Sequence, residues 1–134
     1  DKLLPSIKDI AFGSILHTVQ DSFSSSHTQR DAETNAGFCG SGEQYRKPGR
    51  ILEFHSYGSQ DGHLHDTEDE RSAMVGHVVE RKAEAIAASR MLVDLYRDRR
   101  SWSEVKPYVD CLFELSEEAK ASSPGERYRK AAEQ

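Results

Sequence analysis

The sequence predicts a mostly α-helical domain with a long loop or small hairpin between two helices that each carry an H-x3-D step. Three observations predict it. Apolar residues recur at helical spacing from Leu3 to about Phe23, again from near Thr67 to Arg100, and from about Ser103 to Lys120. The stretch between the first two, from Arg30 to Gly62, is punctuated by Gly37, Gly40, Gly42, Gly49, Gly58 and Gly62 and has no helical period. Thr67-Glu-Asp-Glu70 has the form of a capping box at the head of the second helix.

In the first helix Leu3, Ile7, Ile10, Ser14, His17 and Asp21 form one stripe. Leu4, Ala11 and Ile15 lie beside it, and Phe12, Leu16, Val19 and Phe23 form another face. A helix apolar on most faces is expected at the centre of the fold. Ser24-Ser-Ser26 ends or kinks it, and His27 follows. Pro48-Gly49 marks a turn between Gln44-Tyr-Arg and Arg50-Ile-Leu-Glu-Phe, giving a short hairpin or an irregular loop. In the second helix Val75, Val79, Ile86 and Val93 form the apolar stripe, and Arg97-Asp-Arg-Arg100 closes it with the positive charge a helix C-terminus favours. Pro107 fits the first turn of the third helix, and Trp102 is read as a packing residue. Residues 121–134 form a polar tail.

At 134 residues the chain suffices for one domain with a real core. A composition 36% hydrophobic and 31% charged suits a globular protein, and no apolar run nears the roughly 20 residues of a membrane span. The net charge of −5 argues against a broad, sequence-independent nucleic-acid complex. It leaves room for a small phosphate-bearing substrate, because bound metal ions reverse the local charge. Cys39 and Cys111 are either one disulfide or two free thiols.

The chemistry concentrates in His17, Asp21 and His27, an H-x3-D-x5-H segment, and in His65 and Asp69, a second H-x3-D. Residues four apart share a helix face, so each step aims an imidazole and a carboxylate at one point, a common ligand set for zinc. One such step alone is more often a surface ion pair. Here the first continues an apolar stripe, where a carboxylate without a counterion is costly, a third histidine follows, and the second opens another helix.

The segment His17-Thr-Val-Gln-Asp21-Ser-Phe-Ser-Ser-Ser-His27 resembles the ligand helix of the bacterial zinc-dependent phospholipases C, whose fold is shared by fungal and plant single-strand-specific zinc nucleases. In that family the segment is followed by H-x3-E or H-x3-D, here His65-Asp-Thr-Glu-Asp69. The variant H-T-V-Q-D-S-F is closer to the phospholipase branch; the nuclease branch usually has Gln-Pro-Leu-His before the third ligand. The resemblance spans residues 14–70 by motif. It implies a helical bundle of the zinc phospholipase C type with two or three zinc ions. It implies that His27, His65 and Asp69 hold one zinc, with a position open for water or a phosphate oxygen. His17 and Asp21 then belong to another subsite, whose remaining ligands the family draws from an upstream region. The chain is therefore expected to be the C-terminal part of a longer metallophosphoesterase domain, with a separate N-terminal fragment as the partner that completes the site. Asp1 lies about four helical turns from His17, too far to complete it.

The implied activity is phosphodiester hydrolysis by metal-activated water, on a phospholipid at a transiently visited membrane surface, in a secreted or periplasmic enzyme. Asp66 and Glu68 are candidate outer-shell acceptors for imidazole N–H groups, or simply carboxylates facing a helix N-terminus. Arg30, His55 and His63 are candidate substrate contacts, and Tyr45, Phe54 and Tyr57 candidate lining of a lipid cleft. His77, two turns beyond Asp69, reads as a partly buried core histidine. A nuclease of the same fold, and a non-catalytic helical interaction domain with a structural metal, are the competing readings.

Overall fold

The computed structural model describes residues 6–31, 37–40, 42, 44–69 and 81–131, with 67–69 and 128 described by backbone only. The described elements run α1 (Ile7–Asp21), β1 (Thr28–Arg30), β2 (Ile51–Phe54), α2 (Gly62–Asp69), α3 (Lys82–Arg97), α4 (Trp102–Leu112) and a 3-10 turn (Glu126–Tyr128). This is a mixed domain with a two-stranded antiparallel sheet, not the mostly α-helical domain that the sequence predicts or the helical bundle that the resemblance implies. Glu70, Val75, His77 and Val79 of the predicted second helix lie outside the described residues.

Ser6 starts α1: its hydroxyl accepts from the Asp9 backbone N–H at 3.2 Å, satisfying one orphan donor of the first turn. The helix is not buried on most faces. It packs Phe12, Leu16 and Val19 inward against α3, whereas Ile7, Ile10 and Ile15 remain exposed. The stripe that carries His17 is thus on the outside. The reason is geometric: among the described elements α3 is the main one packed against α1, and it covers one arc of the helix surface. Phe12 stacks on Tyr96 with ring centroids 4.0 Å apart, and the Tyr96 hydroxyl donates to Asp9 Oδ1 at 2.8 Å. These contacts set the α1–α3 pairing.

In α3 the buried side chains are Ala88, Met91 and Leu92, while Ile86 and Val93 of the predicted stripe are largely exposed. Ser101 and Glu104 form a capping box at α4. The helix ends at Leu112, eight residues short of Lys120, and Pro107 lies within it rather than in its first turn. Trp102 is exposed. What stops α4 is competition from the sheet: Ile51 N–H donates to Glu114 O at 2.8 Å and Ser116 N–H to Ile51 O at 2.8 Å. The chain beyond runs beside β2, with Lys120 N–H on Leu52 O and Ser56 N–H on Ser123 O. Much of the expected polar tail is therefore bonded to the rest, as far as Lys130 N–H on Ser59 O at 2.9 Å.

Strand β2 is the predicted Ile-Leu-Glu-Phe segment, but its partner is Thr28–Arg30, with Gln29 opposite Glu53, not Gln44–Arg46. Pro48-Gly49 does not reverse a hairpin. Gly49 instead lies so near the Asp31 carbonyl that a Cβ there would collide with it. The core joins Val19 and Phe23 to Met91, Leu92 and Leu112, closed by a disulfide between Cys39 and Cys111.

Candidate metal centre

The turn after α1 delivers His27. Thr28 N–H and His27 N–H both donate to Ser24 O, at 3.0 and 3.1 Å, and Ser26 is fully buried beneath the turn. His27 O then accepts from His55 N–H at 2.7 Å, extending the ribbon by one residue. A second anchor brings up His65. Asp61 caps α2 through its Oδ1, which accepts from His63 N–H at 3.0 Å and Leu64 N–H at 3.3 Å. The helix consequently begins at Gly62, not near Thr67, and His65 stands in its first turn rather than before it.

His27 and His65 meet. Their ring centroids are 4.6 Å apart and the rings are nearly perpendicular, at 80°. Two imidazoles on one tetrahedral zinc, with Zn–N bonds of about 2.0 Å, have centroids roughly 5 Å apart, so the pair fits one ion with little movement. Each ring presents Nδ1 to an oxygen: the Tyr57 hydroxyl is 3.0 Å from His27 Nδ1, and Asp66 Oδ1 is 3.5 Å from His65 Nδ1. The Asp66 side chain is 78% exposed. Asp69 occupies the helix position one turn beyond His65, on the same face by backbone register. The side chains of Glu68 and Asp69 lie outside the described residues. Among the described residues no group of three His, Cys, Asp or Glu side chains converges as a metal site.

His17 and Asp21 do pair across one turn, Nε2 to Oδ2 at 3.4 Å. The imidazole is 78% exposed, so the pair forms on an open face rather than in the core. The Asp21 side chain is 27% exposed, so burial does not demand a cation beside it.

The three candidate substrate contacts fare differently. Arg30 is 6% exposed and turned inward. It donates to Ser22 O at 2.7 Å, to Gly49 O at 2.9 Å and to Ser22 Oγ at 2.9 Å, and its guanidinium lies 4.4 Å from the centroid of the Phe23 ring. It holds the end of α1 to the 48–50 segment and is not available to a phosphate. His55 packs its ring over Gly125, with Nδ1 3.3 Å from Ser26 O. His63 is exposed at the start of α2. Of the aromatic residues, Tyr45 is partly buried and donates to Asp94 Oδ2, whereas Phe54 and Tyr57 are exposed.

Sequence reasoning missed the placement of Tyr57 beside both imidazoles, its ring centroid 5.7 Å from that of His27 and 5.4 Å from that of His65. Nothing in its spacing, eight residues before His65 in an aperiodic stretch, signals it. Comparison with protein-family models, with curated proteins and with solved structures found no match to this chain.

Proposed function

We propose that this chain carries a zinc centre of a phosphodiester hydrolase, of the phospholipase C type that its ligand motif resembles. The observation that supports this is the perpendicular His27–His65 pair at 4.6 Å, brought together from segments 38 positions apart, with Asp69 one turn along the same helix. His27, His65 and Asp69 would hold the ion. When bound, zinc supplies Lewis acidity, activating water near neutral pH and drawing charge from the phosphate oxygens. His17 and Asp21, paired on an open face, would be two ligands of a second subsite that takes its other donors from elsewhere.

A lipid substrate is favoured over a polynucleotide by two features. The net charge is −5, where a nucleic-acid channel needs clustered cations. Tyr57 and Leu64, next to the histidine pair in space or sequence, are exposed apolar surface. The Cys39–Cys111 disulfide supports a secreted or periplasmic location, since such bonds persist in oxidising compartments.

The test is zinc stoichiometry by elemental analysis together with hydrolysis of phosphatidylcholine vesicles and of single-stranded DNA. Stoichiometric zinc and lipid turnover, both lost in His65→Ala, are expected. Protein without zinc sinks the reading. Turnover of DNA alone transfers the site to nuclease chemistry, and bound zinc with neither activity leaves a structural metal.

A further inference from the structure

Tyr57 is 67% exposed, so apolar burial does not hold it in place. The backbone around it does. His55 N–H bonds His27 O, Ser56 N–H bonds Ser123 O at 3.0 Å, and Gln60 N–H returns to Tyr57 O at 3.2 Å. Ser59 takes a left-handed conformation, φ 65°, which closes the turn, and the Gln60 side chain ties that turn to Ser26 O at 3.3 Å. Ser26 immediately precedes His27, so one small network sets both the imidazole and the phenol.

We infer that Tyr57 is a positioning residue for the metal centre: its hydroxyl accepts from His27 Nδ1–H and so presents Nε2 of His27 to zinc. The assignment rests on the zinc reading. Its chemistry follows from the 3.0 Å contact. A neutral imidazole carries one N–H, and the nitrogen opposite it is the ligand. An oxygen at Nδ1 selects the tautomer with its lone pair on Nε2, fixes the ring about its long axis, and makes the donor nitrogen more basic. For His65 the Asp66 carboxylate at 3.5 Å stands in the corresponding place. The two ligands would then have unlike partners, a neutral phenol and a carboxylate.

The experiment uses the purified chain, wild type, Tyr57→Phe and His27→Ala, with zinc affinity measured by competition against a chromophoric chelator. Imidazole 15N shifts are recorded with and without zinc. The phenylalanine variant is expected to melt with the wild type, because an exposed neutral hydrogen bond adds little stability. Its zinc Kd is expected to rise roughly 10–100-fold, and wild-type His27 to bind zinc through Nε2 while retaining Nδ1–H. Zinc binding by Tyr57→Phe as tight as wild type, or coordination of His27 through Nδ1, overturns the role of Tyr57 and leaves the centre standing. Failure of wild type to bind zinc overturns the centre, and this assignment with it.

Discussion

Arg30 shows what a single side chain does in this fold. Its burial lowers the guanidinium pKa to about 10, with Glu84 opposing that shift, and the group remains charged at neutral pH. It is retained because three hydrogen bonds and the Phe23 ring meet it. Arg30→Met removes the desolvation penalty but strands the Ser22 and Gly49 carbonyls. The second effect is larger, since a buried acceptor without a donor costs about 1–3 kcal/mol. A net loss of roughly 2 kcal/mol in urea unfolding is expected, with zinc affinity unchanged. A raised KM at full stability would restore the phosphate-contact role that the sequence suggests. An arginine three residues after a ligand histidine looks the same in sequence whether it turns in or out. What turns it in is the end of α1, where Ser22 O and Oγ both accept from it.

At the scale of elements, some local signals hold and others, such as Pro48-Gly49 and Pro107, do not. The Ser-rich break after α1 and the C-terminal basic residues of α3 stand as expected. Strand pairing is a different problem, because β2 could bond to any exposed edge. It chose Thr28–Arg30 on one side and the 114–123 segment on the other. Glu114 fastens that second side: its carboxylate pairs with Lys47 and lies 3.1 Å from Arg50 Nε. The hydrogen bond from Lys47, aided by the charges of Lys47 and Arg50 and opposed by burial, holds the Glu114 carboxyl below its ordinary 4.5. A depressed acid pKa adds stability above the unfolded value and loses it as pH falls through the folded one. Wild type should therefore lose stability below pH 4.5 by more than Glu114→Gln does, and the two urea curves should converge in acid. Parallel pH profiles for the two proteins would show that the clamp is not populated in solution.

For the whole molecule the strongest constraint is covalent. Cys39 and Cys111 are separated by 72 positions, and Cys39 is buried in the main core against Leu112 and Met91. Closing a loop of that length removes about 4 kcal/mol of chain entropy from the unfolded state. Reduction, followed by thermal or urea unfolding, should lower stability by about 2–4 kcal/mol. Because the bridge ties α4 to Cys39 while His27 and His65 are held by the ribbon and by Asp61, zinc affinity should fall less than stability does. Equal collapse of both would mean that the ribbon depends on the bridge.

The sequence alone determined which residues are neighbours within one helix. Four-residue spacing sufficed to pair His17 with Asp21, since helix geometry makes i and i+4 neighbours whatever surrounds them. Helical period located α1, α3 and most of α4 for the same reason. Only the tertiary structure decided which faces are buried, which strand β2 joins, that the two cysteines are bonded, and that Tyr57 reaches His27. These are contacts between positions distant in the chain. They depend on how elements compete for one core and one sheet edge, and no local period records the outcome of that competition.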